Sequence, residues 1–236
     1  MLGEAGGKFA QWVFGGACFL CRGAAGNGLL CAACDADLTR LDRALCPRCA
    51  LASPGGAICG RCLAHPPHFD ATIAALAYRF PADVLVHAFK FRGELALARF
   101  LAGLLAERIG PEQRVDCVVP VPISAERLRE RGYNQALELA RHVARATGAR
   151  LAPELCERAR HTPAQTDLPW AERAKNVHGA FHAPRALAGA AVAVLDDVMT
   201  TGATLDEIAA VLKRAGAAHV AGWVVARTFP PGERAV

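Results

Sequence analysis

Val192-Ala193-Val194-Leu195-Asp196-Asp197-Val198-Met199-Thr200-Thr201-Gly202-Ala203-Thr204 is the stretch whose reading decides the fold. Four small apolar residues in a row read as a buried strand, because a strand covered on both faces has no need to alternate. Two adjacent acids end it, and a threonine and glycine loop then leads into a helix expected over 205–215 and capped by Gly216. Such a loop places several backbone N–H groups and the hydroxyls of Thr200, Thr201 and Thr204 at a helix N-terminus, a seat for a phosphate. Gly202 lets the backbone come close, and Ala203 belongs to the same loop. Asp196 and Asp197 can accept hydrogen bonds from vicinal sugar hydroxyls and sit near a magnesium ion. A phosphate and a diol held together describe a ribose 5-phosphate. An ordinary helix N-cap is the competing reading, but it does not account for two acids directly after a buried strand. No Gly-Lys-Thr/Ser occurs, which excludes a Walker loop.

Outward from this segment, strands alternate with helices. Strands are expected over 72–80, 115–121 and 220–226 besides 190–195, and helices over 82–91, 94–109 and 134–147. Leu97, Leu101, Leu104 and Leu105 would form one apolar face of the second helix, and Leu137, Ala140, Val143 and Ala144 that of the third, which Gly148 ends. The pattern predicts an open α/β fold with a mainly parallel sheet, and such folds bind ligands beyond the carboxyl ends of their strands. With 236 residues, 53% hydrophobic and 21% charged, the chain can bury a core, and collagen, a coiled coil and an acidic tail protein are excluded. No run of 18 uncharged apolar residues exists, so no membrane span is expected. The apolar stretch 9–20 is too short and too poorly flanked for a signal peptide, and Gly15 stands where a lipoprotein site wants leucine, so a cytoplasmic protein is expected.

The cysteines are a repeat. Cys18/Cys21, Cys31/Cys34, Cys46/Cys49 and Cys59/Cys62 are four CxxC pairs, and each cysteine of the first two pairs recurs 28 residues on. Zinc wants four soft ligands in a tetrahedron, and a two-residue gap lets two thiolates from one tight turn meet one ion. Disulfides would need an oxidising compartment, and a redox CxxC is normally single. Two structural zinc ions are therefore expected, each with four thiolates. Adjacent pairs sharing one ion is the simpler arrangement, with a cross-braced one left open. Few large apolar side chains occur in this segment, so metal would supply folding energy. His65 and His68 read as solvated loop histidines, and Cys117 and Cys156 as small buried hydrophobes. His65-Pro66-Pro67-His68 reads as a linker, dividing the chain into 1–68 and 69–236. The formal charge is +5, and eight zinc-bound thiolates with two zinc ions would leave about +1. Any affinity for polyanions must then be local.

The segment 192–204 resembles the phosphoribosyl pyrophosphate (PRPP) signature of type I phosphoribosyltransferases. Pro120-Val121-Pro122-Ile123-Ser124, which follows the expected strand 115–121, is similar to the pyrophosphate loop of glutamine amidophosphoribosyltransferases. Pyrophosphate is gripped where charge develops as the bond to ribose C1 breaks. Lys90, Arg92, Arg127, Arg129 and Arg131 are nearby basic candidates, some of which would be only solvated helix charges. The polar stretch 158–176, with Arg158, Gln165 and Arg173, suits a lid over the site or a plain surface loop.

Together with Phe89-Lys90-Phe91-Arg92-Gly93, Val119-Pro120-Val121-Pro122 and Arg131-Gly132-Tyr133-Asn134-Gln135, these features resemble the ComF family of competence-associated proteins over nearly the whole chain. The resemblance implies a double zinc ribbon at 1–68, a phosphoribosyltransferase-like domain at 69–236, magnesium with PRPP, and a link to DNA uptake. It leaves two functions open. One is transfer of a phosphoribosyl group from PRPP to an unidentified acceptor. The other is a non-catalytic adaptor binding a nucleotide, single-stranded DNA or DNA-uptake proteins. Purine enzymes of the superfamily carry an acid at the position of Thr200, so base catalysis from there is not expected.

Overall fold

The computed structural model describes residues 16–41, 44–159 and 177–230. At its centre a five-stranded sheet runs in the order β1 (Ala71–Ala77), β7 (His219–Arg227), β6 (Ala191–Met199), β2 (Cys117–Pro120), β3 (Arg150–Leu151). Every ladder in this sheet is parallel. Its central strands are buried over most of their length, which is why they read as continuous apolar runs.

The crossovers fix which side each helix occupies. From β1 the chain passes through α3 (Ala82–Phe91) and α4 (Ala96–Arg108) to β2, then through α5 (Ala125–Arg131) and α6 (Gln135–Thr147) to β3, always in one direction along the sheet. From β6 it passes through α7 (Ala203–Arg214) to β7 in the opposite direction. Right-handed crossovers in opposite directions put α4 and α6 on one face and α7 on the other. Consistently, α4 packs against α6, β1 and β7, while α7 packs against β6 and β7. The direction reverses between β2 and β6, so the crevice of this fold opens beyond Pro120 and the end of β6.

Leu97, Leu101, Leu104 and Leu105 of α4 are all buried, each worth roughly 1.5–3 kcal/mol of transfer free energy. On α6 the buried face is Ala136, Leu139, Ala140, Val143 and Ala144, so Leu139 and not Leu137 faces inward. The spacing 136, 140, 143 selects it, because Leu137 lies one residue off that stripe. Asn134 caps α6, its Oδ1 accepting from the N–H groups of Ala136 and Leu137, and Gly148 ends the helix at a φ of 74°. Strand β6 is longer than expected and runs on through both acids to Met199, paired with β7 as far as Arg227. Its other neighbour, β2, stops at Pro120. The last residues of β6 therefore have one open flank, and the crevice forms along it.

A separate antiparallel pair, β4 (Glu157–Arg158) with β5 (Phe181–His182), brackets the polar stretch. Gln165 and Arg173 lie outside the described residues. At the other end, residues 39–41 and Pro47 lie along edge strand β1. Leu41 N–H donates to the Ala75 carbonyl, Ala77 N–H to Thr39 and Thr72 N–H to Pro47, each at 2.9 Å. Leu30, Leu38 and Leu41 belong to the same buried cluster as the sheet. An edge strand is thereby covered. Cys117 and Cys156 are buried as expected.

Candidate functional site

The two metal centres are built from short turns. Cys18, Cys21, Cys31 and Cys34 bring their sulfurs within 4.8 Å of one another, and so do Cys46, Cys49, Cys59 and Cys62. Adjacent pairs thus share a site, and the cross-braced arrangement is excluded. The Sγ atoms of Cys21 and Cys31 are 3.7 Å apart and those of Cys49 and Cys59 3.6 Å. A Zn–S bond of about 2.3 Å gives a tetrahedral edge of about 3.8 Å, so the spacing fits zinc and is far too long for disulfides. The first cysteine of each set is prepared as a thiolate. Backbone N–H groups, Cys21 foremost, lower the Cys18 thiol to about 6. Burial opposes the same effect at Cys46, but the N–H groups of Cys59, Cys49 and Arg48 still bring it to about 7. Short α1 (Ala32–Ala36) and α2 (Gly60–Ala64) follow the third cysteine of each set, Cys31 and Cys59. His68 is not a ligand. Its backbone N–H and ring meet Asp206 on α7.

At the crevice a cavity of about 360 Å³ gathers residues from several segments. Val121, Pro122 and Ile123 come from the loop after β2, Asp196 and Asp197 from β6, Thr200 from the loop before α7, Thr204 from its first turn, and Lys90 from the end of α3. Arg127, Arg131 and Arg158 complete its basic wall. Gly202 and Ala203 line a smaller adjoining cavity, again with Thr200, Thr204 and Asp196. Gly202 sits at a φ of 87°, where a side chain is strained, and a Cβ there would lie 2.7 Å from the movable Met199 methyl, so the loop favours glycine at this point. Thr201 is used inside the loop, its Oγ1 accepting from Ala203 N–H at 3.1 Å. Ser124 caps α5, its Oγ accepting from Arg127 N–H, while Pro120 ends β2. Arg92 is exposed and lines neither cavity.

The acids differ in their engagement. Asp197 is buried, and its Oδ2 lies 2.8 Å from Lys90 Nζ. Asp196 Oδ1 accepts from Asp197 N–H at 2.9 Å. Burial, then the like charge of Asp197, push the Asp196 carboxyl up to about 7 against the pull of Lys90. Burial works against the Lys90 ammonium, but Asp197 and Asp196 outweigh it and hold its pKa above the ordinary value. Across the cavity, burial and the neighbouring Arg127 charge both lower the pKa of Arg158. Two guanidiniums that repel each other at a cavity wall make a place for an anion.

Sequence reasoning did not single out Tyr133, Asn134, Gln135 or Thr228 as site residues. Tyr133 donates its hydroxyl to the Phe89 carbonyl, and Asn134 Nδ2 donates to the Val121 carbonyl at 3.1 Å. The Arg131–Gln135 motif thus ties the segment 89–93 to the loop after β2. Gln135 Nε2 and Thr228 Oγ1 are buried without a hydrogen-bond partner among the described residues, and both residues line the cavity. Unmatched buried polar atoms at a cavity wall are what a polar ligand would satisfy. Gln135 had a signal, since a glutamine just inside an amphipathic helix start is out of place on a buried face.

The described residues define an α/β protein with a basic and acidic crevice at the switch point of a parallel sheet, preceded by two four-cysteine sites. A double zinc ribbon domain model matches residues 9–63. The DNA utilization protein YhgH of Escherichia coli (strain K12) is 35% identical over 223 residues, covering 91% of this chain and 98% of that one. Competence protein F of Haemophilus influenzae is 32% identical over 178 residues, covering 72% and 78%. The chain belongs to this family of ComF-type competence and DNA-utilization proteins. Solved structures give partial likenesses. A glutamine PRPP amidotransferase from B. subtilis, complexed with ADP and GMP, is 23% identical over 54% of this chain and 26% of that one, at a TM-score of 0.38. A purine phosphoribosyltransferase from Pyrococcus horikoshii is 17% identical over 57% and 88%, at 0.34. No helix among the described residues is long and apolar enough to cross a membrane.

Proposed function

We propose that this chain binds PRPP, or a related ribose 5-phosphate, at the crevice between β2 and β6 and transfers its phosphoribosyl group to an acceptor in the cytoplasm. In this reading the acids accept from the ribose hydroxyls. The N–H groups and hydroxyls of 200–204 hold the 5-phosphate. The loop 120–124, with Arg127, Arg131 and Arg158, faces the pyrophosphate, and Lys90 stays with Asp197. Arg92, whose side chain is exposed, would serve only at the rim. The same reading treats 1–68 as the metal-folded unit and 69–236 as the ligand-binding one, with Gln165 and Arg173 in the connection that would cover the site.

The observation that carries this reading is the convergence of two backbone loops, an acid pair and three arginines on one cavity. Asp197 is engaged by Lys90, so the acids suit the sugar hydroxyls better than a cation held by protein alone. Magnesium would arrive on the ligand's own phosphates, where it offsets the charge of the leaving pyrophosphate. Arginines at that end stabilise the same developing charge, and Asp197 with Lys90 keeps the ribose end fixed. Incubation of zinc-loaded protein with PRPP, magnesium and a panel of acceptors should release pyrophosphate, and Asp196→Asn with Asp197→Asn should abolish release. No release with any acceptor would remove the transferase reading and leave binding to be judged by titration.

A non-catalytic adaptor is the second reading, and one observation favours it beyond the relatives' names. Phe91 is 54% exposed beside the cavity. The Arg131 guanidinium lies 4.9 Å from its ring centroid, and the His87 ring 4.8 Å. An exposed aromatic beside a guanidinium is the element from which single-stranded DNA sites are made. Oligonucleotide binding that weakens steeply with salt, without pyrophosphate release, would select this reading.

A further inference from the structure

Arg227 is fully buried at the carboxyl end of β7. Its Nε donates to the Cys49 carbonyl at 2.8 Å. Its Nη1 donates to the carbonyls of Met199 and Thr228, each at 3.0 Å, and to that of Thr200. One planar guanidinium therefore spans from a metal-binding turn to the first residues of the loop before α7. Cys49 closes that turn, in which Ala50 N–H donates to the Cys46 carbonyl at 2.9 Å and Ala50 adopts a φ of 54°. The turn is held on its far side by Thr72 N–H, which donates to Pro47. Phe229, two residues beyond Arg227, packs on the cluster of Cys46, Cys49, Leu51 and Cys62. Burying a guanidinium is costly unless its donors are matched. Here Nε and Nη1 are met by carbonyls that belong to two different units of the chain.

We propose that Arg227 is a positioning residue that transmits the geometry of the second four-cysteine site to the loop 200–204. The inference rests on the reading of that loop as the 5-phosphate seat, and it adds what holds the seat in place. With zinc in the second site, the turn 46–49 is fixed and the Cys49 carbonyl is a rigid anchor. The guanidinium is then oriented, and the carbonyls of Met199 and Thr200 are drawn toward it. That sets the direction of the loop into the first turn of α7, where Ala203 N–H is already taken by Thr201 Oγ1. The first four-cysteine site has no such strut to the loop among the described hydrogen bonds, so its geometry should not matter there.

Hydrogen exchange of the zinc-loaded full chain tests this without any ligand. Arg227→Lys keeps the charge but cannot reproduce the fork. Cys59→His and Cys31→His change the same repeat position in the second and first sites while keeping four ligands. Arg227→Lys and Cys59→His should speed exchange of the 200–204 amides by about tenfold or more, with α4 and β2 amides still protected. Cys31→His should leave those amides at the wild-type rate. In parallel titrations Arg227→Lys should weaken PRPP by about the same factor while leaving inorganic pyrophosphate, which needs only the loop 120–124 and its cations, bound as before.

Unchanged loop exchange in folded Arg227→Lys, or equal acceleration by Cys31→His and Cys59→His, would overturn the proposal. So would equal loss of PRPP and pyrophosphate. If Arg227→Lys does not fold, the contrast between Cys59→His and Cys31→His decides alone. Wild-type protein that binds no PRPP would instead remove the reading of the site, and the exchange comparison would still judge the strut.

Discussion

Cys18, Cys21, Cys31 and Cys34 stand in the same spacing as Cys46, Cys49, Cys59 and Cys62. Yet in the first set only Cys18 is buried, and in the second only Cys59 is not. The first site is open to solvent at Cys21 and half-buried at Cys31 and Cys34, while Cys18 belongs to the buried cluster of the sheet. The second lies under the end of the sheet, where Arg227, Thr72 and Phe229 meet it. A duplicated motif has therefore been placed in two environments. Metal-ligand chemistry is common to both, and the difference lies in what each site leans on. A small metal unit that rests on an edge strand becomes part of the larger core, and its failure is then no longer local.

The largest effect should follow from breaking the second site. Cys62→Ser removes a buried thiolate and should cost several kcal/mol, since a structural zinc site carries folding energy of about 10 kcal/mol or more. Urea denaturation followed by sheet-sensitive circular dichroism should show the main transition at clearly lower urea. Cys21→Ser at the exposed first site should lower the same transition by less than half as much. Equal shifts for the two variants would break the comparison.

A smaller effect, of opposite sign, is expected on the crevice side of the second site. Asp196 titrates near 7 in the folded protein, above its ordinary value of 3.8. A carboxyl raised by folding binds more protons folded than unfolded across that window, so it costs stability as pH rises through it. Asp196→Asn should therefore stabilise the protein by roughly 1–2 kcal/mol at pH 8 and by little at pH 4, while weakening PRPP binding. Thermal unfolding at the two pH values checks this. Stabilisation of the same size at both would mean that the carboxyl is not strained by its surroundings. Together these variants separate a unit held by metal from an edge held under strain for binding.

Much of this was legible in the residues. The run 192–204 carried the strand, the acids and the loop, because buried parallel strands, paired acids and a glycine at a positive φ each leave a local mark. The zinc sites were legible from spacing alone, but not which pairs share an ion, since both pairings satisfy the same count. Leu139 was misplaced in favour of Leu137, because a helix face seen in sequence is ambiguous by one residue until its start is known. Asn134 supplies that start. The continuation of β6 through both acids was not legible either. It depends on β2 ending at Pro120, a fact about a neighbour distant in sequence. Arg227 left one overlooked trace, an arginine closing an otherwise apolar strand. Its partners, Cys49 and Thr200, meet only in the fold.

Isothermal titration of the zinc-loaded full chain with PRPP and magnesium tests the central claim most directly. Saturable binding at one site per chain, lost when Asp196→Asn and Asp197→Asn are combined in a protein that still folds, is the predicted result. No binding by the wild type, or equal affinity in the double variant, would contradict it.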